Sequence, residues 1–221
     1  MEATRHFYFA GDIFDHKDLV GNALLGRYID QVSGDRYRCV LPQDLEQSSH
    51  RAVNIRNQDL LQVMQCDVAL FNFDGDDLDS GTVVEFMLAK MLDIPSVILR
   101  SDFRSAGDQN KDGDDWNLMV SFYPRVDIVQ VNGMAWYQAA KTQDVDVRDA
   151  LDALYTPLAG DLIRALDRAC DTPSLIKGNV DKALRLYRWA RTFPGSGMAN
   201  GLSDEALENL VKRKAGMGLL G

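Results

Sequence analysis

Among the ionisable residues of this chain, Glu85 has the setting that best suits chemistry. From Val83 to Leu92 every neighbour except Lys90 is apolar or small, so a carboxylate here interrupts an apolar helical run. Lys90 lies about 140° round such a helix from Glu85, so the two do not share a solvated face. Two readings are open. An acid near a helix start complements the positive end of the helix dipole, and the same dipole would keep a nucleophilic carboxylate ionised. Asp79, six residues earlier in Asp-Ser-Gly-Thr, has the type and place of an N-cap or turn residue. Asp74, Asp76 and Asp77 share its acidic turn and read mostly as solvated, and Asp59 reads as a surface residue of a preceding helix.

The elements that must position these residues alternate between strand and helix, which predicts an α/β fold built on a doubly wound, mostly parallel five-stranded sheet of flavodoxin-like or Rossmann-like type. Strands are expected at residues 6–10, 36–41, 68–75, 96–99 and 128–131, and helices at 18–32, 53–65, 82–92 and around 146–169. Val68 to Gly75 is nearly continuous in apolar residues, as expected of a central strand buried on both faces. In such a sheet, ligands bind beyond the carboxyl ends of the strands, where Gly11, the 74–85 segment and Arg100–Arg104 all fall. Ser101 to Asp115 is polar and rich in Gly and Asp and reads as a long, lid-like loop. After Asp171-Thr172-Pro173 the composition shifts. The domain reading is therefore an α/β domain over 1–171 and a helical C-terminal extension over 172–221, with helices near 180–192 and 203–214.

Composition restricts the partners. There are 33 acidic against 24 basic residues, a formal charge of -9, and no basic patch, which disfavours nucleic acid. The basic runs Arg185 to Arg191 and Lys212 to Lys214 read as helix faces and a tail. Cys39, Cys66 and Cys170 are odd in number and lack ligand spacing, which suits reduced thiols and a cytoplasmic location. No window approaches the roughly 18 consecutive apolar residues of a membrane span. Neither a dinucleotide-binding nor a P-loop glycine pattern occurs, and His6, His16 and His50 have no partner at zinc-ligand spacing. Asp108, Asn110, Asp112 and Gly113 match the first half of a calcium loop, but the twelfth position is Met119 where a bidentate Glu is needed. No metal and no cofactor are expected.

In order and spacing, FYFAGD, NQDL followed by CDVALFNFDG, DSGTVVEF and WNLM resemble the nucleoside 2-deoxyribosyltransferase family over residues 5–131. The DSGTVVE element ahead of an apolar helix is the most specific piece. The resemblance implies Glu85 as nucleophile and Asp79 as proton donor and acceptor near the base. It implies Tyr8 as hydrogen-bond partner of the nucleophile, Asp59 as a contact to base and sugar, and Gly11 and Gly81 as part of the substrate site. Asn117 falls on the asparagine that a neighbouring subunit supplies, which implies a homo-oligomer with shared sites. The implied ligands are nucleosides and free nucleobases. The chain differs from many relatives in carrying Asp12 after the glycine and in its extension.

The implied chemistry suits these residue types. Breaking an N-glycosidic bond builds positive charge at C1′, which a carboxylate beneath it can stabilise and trap, while a second acid protonates the leaving base. Two alternatives use the same cleft. One is an N-glycoside hydrolase acting on deoxynucleosides or their 5′-monophosphates, for which Arg100 and Arg104 are the candidate phosphate partners. The other is a non-catalytic nucleotide sensor, against which the joint presence of Glu85, Asp79, Tyr8 and Asn117 argues.

Overall fold

The structure is a computed structural model that describes residues 3–45, 51–104, 113–140 and 146–220. Five strands, β1 (Arg5–Ala10), β2 (Tyr37–Val40), β3 (Val68–Asn72), β4 (Ser96–Arg100) and β5 (Val126–Gln130), form one sheet of order β2-β1-β3-β4-β5 in which every pairing is parallel. Among the described residues there are seven α-helices, the first of them alternating with the strands: α1 (His16–Val32), α2 (Ala52–Gln65), α3 (Ser80–Met91), α4 (Gly133–Ala140), α5 (Val147–Asp171), α6 (Val180–Thr192) and α7 (Asp204–Gly216). This is the flavodoxin-like order, whose topological switch point lies between β1 and β3.

Strand periodicity sorts the core into two layers. Phe7, Phe9, Val68, Leu70, Val97 and Leu99 point to the side covered by α1 and α5. The alternate residues Tyr8, Ala10, Ala69, Phe71 and Ile98 point to the side holding α2, α3, α6 and α7. Register sets Tyr8 beside Ala69 on β3 and Val40 on β2. The face on which Tyr8 sits is thus fixed by the strand's period of two.

Expected and observed bounds differ by a residue or two at most ends, β3 stops at Asn72, three residues short of the expected end, and two departures are larger. Residues 146–169 read as more than one helix, but α5 is a single 25-residue helix with Pro157 inside it. The buried face Leu158, Leu162, Ile163 and Leu166 carries the helix past the proline's missing N–H. The sequence reading gave no element at α4, whose first residue, Gly133, donates its N–H to Ser101 O at 2.9 Å. A Cβ there would lie 2.6 Å from that oxygen, so the close approach requires glycine.

Residues 172–220 fold onto the α2/α3 layer. Ile176, Ala183, Tyr187, Ala190, Met198, Leu202, Leu207 and Val211 belong to the same buried cluster as Tyr8 and Phe86. Lys214, read as part of a basic helix face or tail, is 1 % exposed. Its spacing after Leu207, Leu210 and Val211 puts it on the apolar face of α7. Residues 105–112, with most of the long loop and of the calcium half-match, lie outside the described residues. All three cysteines are free thiols. Among the described residues no helix is long and apolar enough to cross a membrane.

Candidate active site

Tyr8, Asp59, Asp79 and Glu85 come from four separate places in the sequence: β1, α2, the turn before α3, and α3 itself. At the centre the Tyr8 hydroxyl donates to Glu85 Oε1 at 2.7 Å, a bond spanning 77 residues of chain. Tyr8 is fully buried and Glu85 largely so. Burial raises the Glu85 carboxyl, the Tyr8 hydrogen bond opposes it and the charges of Asp59 and Asp79 add to it, a balance that leaves the group at about 7. Burial and the Glu85 charge drive the Tyr8 phenol well above its usual range, so it stays a protonated donor. Burial also raises Asp59 to about 6.

Asp79 is the N-cap of α3: its Oδ2 accepts from Thr82 N at 2.7 Å and from Thr82 Oγ1 at 2.9 Å. The capping role read from the sequence is therefore real, and it ties up one carboxylate oxygen. Glu85 sits on the second turn of α3, beyond the free N–H groups, and meets Tyr8 there. Gly81 admits this arrangement, since a Cβ on it would lie 3.1 Å from Asp79 Oδ2. Gly11, after β1, likewise faces Asn72 at a distance of 3.1 Å from a built Cβ.

Asp79 also lines a cavity of about 550 Å³ at the carboxyl ends of β3 and β4, with Asp12, Lys17, Asp18, Asp74, Asp102 and Arg104 on its walls. The acids outnumber the bases. Both arginines considered as phosphate partners are committed elsewhere. Arg100 is fully buried and donates to the carbonyls of Phe73, Gly75 and Arg104, while Arg104 pairs with Asp102 and Asp76. Asp74, read as solvated, accepts from Ser101 N, Ser101 Oγ and Asp102 N and locks the two loops together.

Asn117 is not gathered into this group. Its side chain accepts from Met119 N at 2.8 Å and caps a 3-10 turn at Leu118–Val120. It lines a separate cavity of about 720 Å³ against the outer side of α3, with Asp76, Asp77, Ser80 and Val84. Sequence reasoning missed Asn57 and Lys214, which anchor α2. Only Lys214 carried a signal, its place on an apolar helical stripe. Among the described residues no cluster of His, Cys, Asp or Glu is arranged to hold a metal ion.

Comparison with known proteins gives a family match and distant structural likenesses. No curated protein matches the chain. A conserved protein from Enterococcus faecalis V583 is 21 % identical, with a TM-score of 0.46, 75 % of this chain covered and 99 % of that one. A 2-deoxyribosyltransferase from Leishmania mexicana is 21 % identical, with a TM-score of 0.44 and coverages of 71 % and 97 %. A 2-deoxyribosyltransferase from Bacillus psychrosaccharolyticus is 16 % identical, with a TM-score of 0.38 and coverages of 45 % and 74 %. The model of the nucleoside 2-deoxyribosyltransferase family matches residues 7–147, well over half of the 221 residues and all of the site described above. On that match, the chain belongs to the nucleoside 2-deoxyribosyltransferase family.

Proposed function

We propose that the protein moves a 2-deoxyribosyl group between nucleobases through a covalent intermediate on Glu85. One observation carries the reading: a largely buried carboxylate, Glu85, accepts a 2.7 Å hydrogen bond from a buried tyrosine and faces two further acids. Burying a carboxylate beside like charges is costly for a fold, and such placements concentrate where a group is used.

In this mechanism the ionised Glu85 attacks C1′ of the donor as the bond from C1′ to the base nitrogen breaks. Asp79 gives its proton to the departing base, which leaves a neutral base and a deoxyribosyl ester of Glu85. The acceptor base then attacks C1′ through a ring nitrogen, Asp79 takes that nitrogen's proton, and Glu85 departs as carboxylate. Tyr8 holds the carboxylate in place and, staying protonated, does not compete as a base. Asp59 contacts base and sugar. No step calls for a metal or cofactor. Asn117 completes the sugar site of a neighbouring subunit, so the working form is a homo-oligomer acting on nucleosides and free nucleobases.

The test is incubation with deoxyadenosine with and without cytosine, followed by chromatography, together with mass spectrometry of the quenched enzyme. The expected results are deoxycytidine and adenine as products, slow hydrolysis without acceptor, and a deoxyribosyl adduct on the peptide containing Glu85. Product formation that ignores added base, with deoxyadenosine 5′-monophosphate as the better donor, would replace the transferase by a hydrolase.

A further inference from the structure

The C-terminal extension lies outside the family match, yet it makes specific polar bonds to one catalytic-domain helix. That helix is α2, which carries Asp59. At its C-terminal end the last carbonyls have no partner within the helix. Lys214 Nζ, from α7, donates to Met64 O at 2.8 Å, and Arg213 donates to Gln65 O at 3.1 Å. Arg213 also pairs with the buried Asp67 carboxylate just past the helix.

In the first half of α2, buried Asn57 donates through Nδ2 to Ser196 O at 3.1 Å, and its Oδ1 accepts from Arg56, which also reaches Pro194 O. Ser196 has a left-handed φ of 52° between Gly195 and Gly197, both also left-handed, so the loop presents its carbonyl in a conformation unfavourable for a serine. One turn on, Leu61 packs so closely on Gly201 that a Cβ there would lie 2.4 Å away. Asn57 and Asp59 are about 160° apart on the helix, so with Asn57 bonded to the extension Asp59 lies on the far side of α2 from it. Its charge raises the carboxyl of Glu85, which marks their proximity.

We infer that residues 172–220 are the positioning scaffold of Asp59, with the Asn57–Ser196 and Lys214–Met64 bonds fixing the rotation and axial position of α2 over the substrate. The inference rests on the reading of Asp59 as a substrate contact. Asn57 and Lys214 are then positioning residues, acting only through that carboxylate.

The experiment is a double-mutant cycle on the full-length chain, measuring KM and kcat for deoxyadenosine with cytosine as acceptor, well below each variant's melting temperature. Asn57→Ala and Lys214→Met should each raise KM about tenfold, with kcat within about threefold, because small displacements of a contact group weaken binding steeply. Asp59→Asn should raise KM as well, and adding Asn57→Ala to it should add nothing further, the signature of one residue acting through another. A merely stabilising interface would lower Tm and leave KM alone. If Asp59→Asn raises KM while Asn57→Ala and Lys214→Met do not, or if the effects add independently, the scaffold inference falls and the reading of Asp59 stands. If Asp59→Asn leaves KM unchanged, both fall. Should Asn57→Ala fail to fold, Lys214→Met, nearly isosteric in its stem, carries the same cycle.

Discussion

At Glu85, burial and two neighbouring carboxylates oppose ionisation while one hydroxyl donor supports it, and the balance leaves the group titrating near neutrality, at about 7. A nucleophilic carboxylate must be ionised, so kcat/KM should rise with pH through that value. Tyr8→Phe removes the influence that lowers the pKa, so the acid limb should move to higher pH. Asp59→Asn removes one that raises it, so the limb should move down. A pH profile for each variant checks the signs, and a limb that stays fixed in both would mean that Glu85 is not the titrating group. Stability follows the opposite sense. A folded pKa above the ordinary glutamate value of 4.5 favours the fold at low pH, and that contribution is lost as pH rises from about 4.5 through about 7. Glu85→Gln should therefore cut base exchange by more than about a thousandfold, while its Tm at pH 8 is no lower than that of the unaltered chain. Near-normal turnover in this variant would end the nucleophile assignment.

At the start of α3, one side chain combines an observed role in the fold with the proposed role in chemistry. Asp79 Oδ2 is held by the Thr82 N–H and hydroxyl, which aims the carboxylate and fixes the first turn that places Glu85. Asn caps helices as well as Asp but carries no titratable proton. Asp79→Asn should thus keep Tm within a few degrees yet slow exchange sharply, least for donors with good leaving groups. Asp79→Ala should lose about 1 kcal/mol of stability in addition. Thermal melts beside rates for a leaving-group series separate the two, and an equal loss across leaving groups would reduce Asp79 to a cap. Much of this element was legible, because the cap, the apolar run and the lone acid all lie within fourteen residues, and β3 announced itself as an unbroken apolar strand. The Tyr8–Glu85 bond itself was not, since only β1's register in the sheet and the packing of α3 bring those residues together. The resemblance supplied that pairing. Helix α4 escaped notice because its start depends on a backbone contact between Gly133 and Ser101. Buried Lys214 was hidden inside a run of charges, although its place four residues after Leu210 gave it away.

Over the whole molecule, charge and exposed apolar surface bear on what approaches the site and with what it assembles. The cavity beside Asp79 is mainly acidic, and its nearby arginines are bound up with carbonyls and carboxylates. Unphosphorylated deoxyadenosine should accordingly exceed its 5′-monophosphate as donor by about tenfold or more in kcat/KM, since an anion there meets uncompensated like charge. The opposite side of α3 bears on assembly. Val84, Leu118, Met119 and Phe122 are 56 %, 49 %, 74 % and 72 % exposed, and Val84 and Met119 share a cavity lining with Asn117. Exposed apolar groups gathered about a polar residue are typical of a surface that another subunit covers. If Asn117 serves the neighbouring subunit's sugar site, Glu85→Ala and Asn117→Ala chains are each inactive alone but complementary together. Within a mixed dimer one site is doubly defective and the other combines an intact Glu85 with an intact Asn117. Equal mixing with free exchange should therefore restore about a quarter of the unaltered activity, from the half of dimers that are mixed. The measurement is base exchange after co-refolding the two variants, with mixed oligomers verified by mass spectrometry. Verified mixed oligomers that remain inactive would confine Asn117 to its own chain, where it caps a turn and does nothing for the neighbour's sugar.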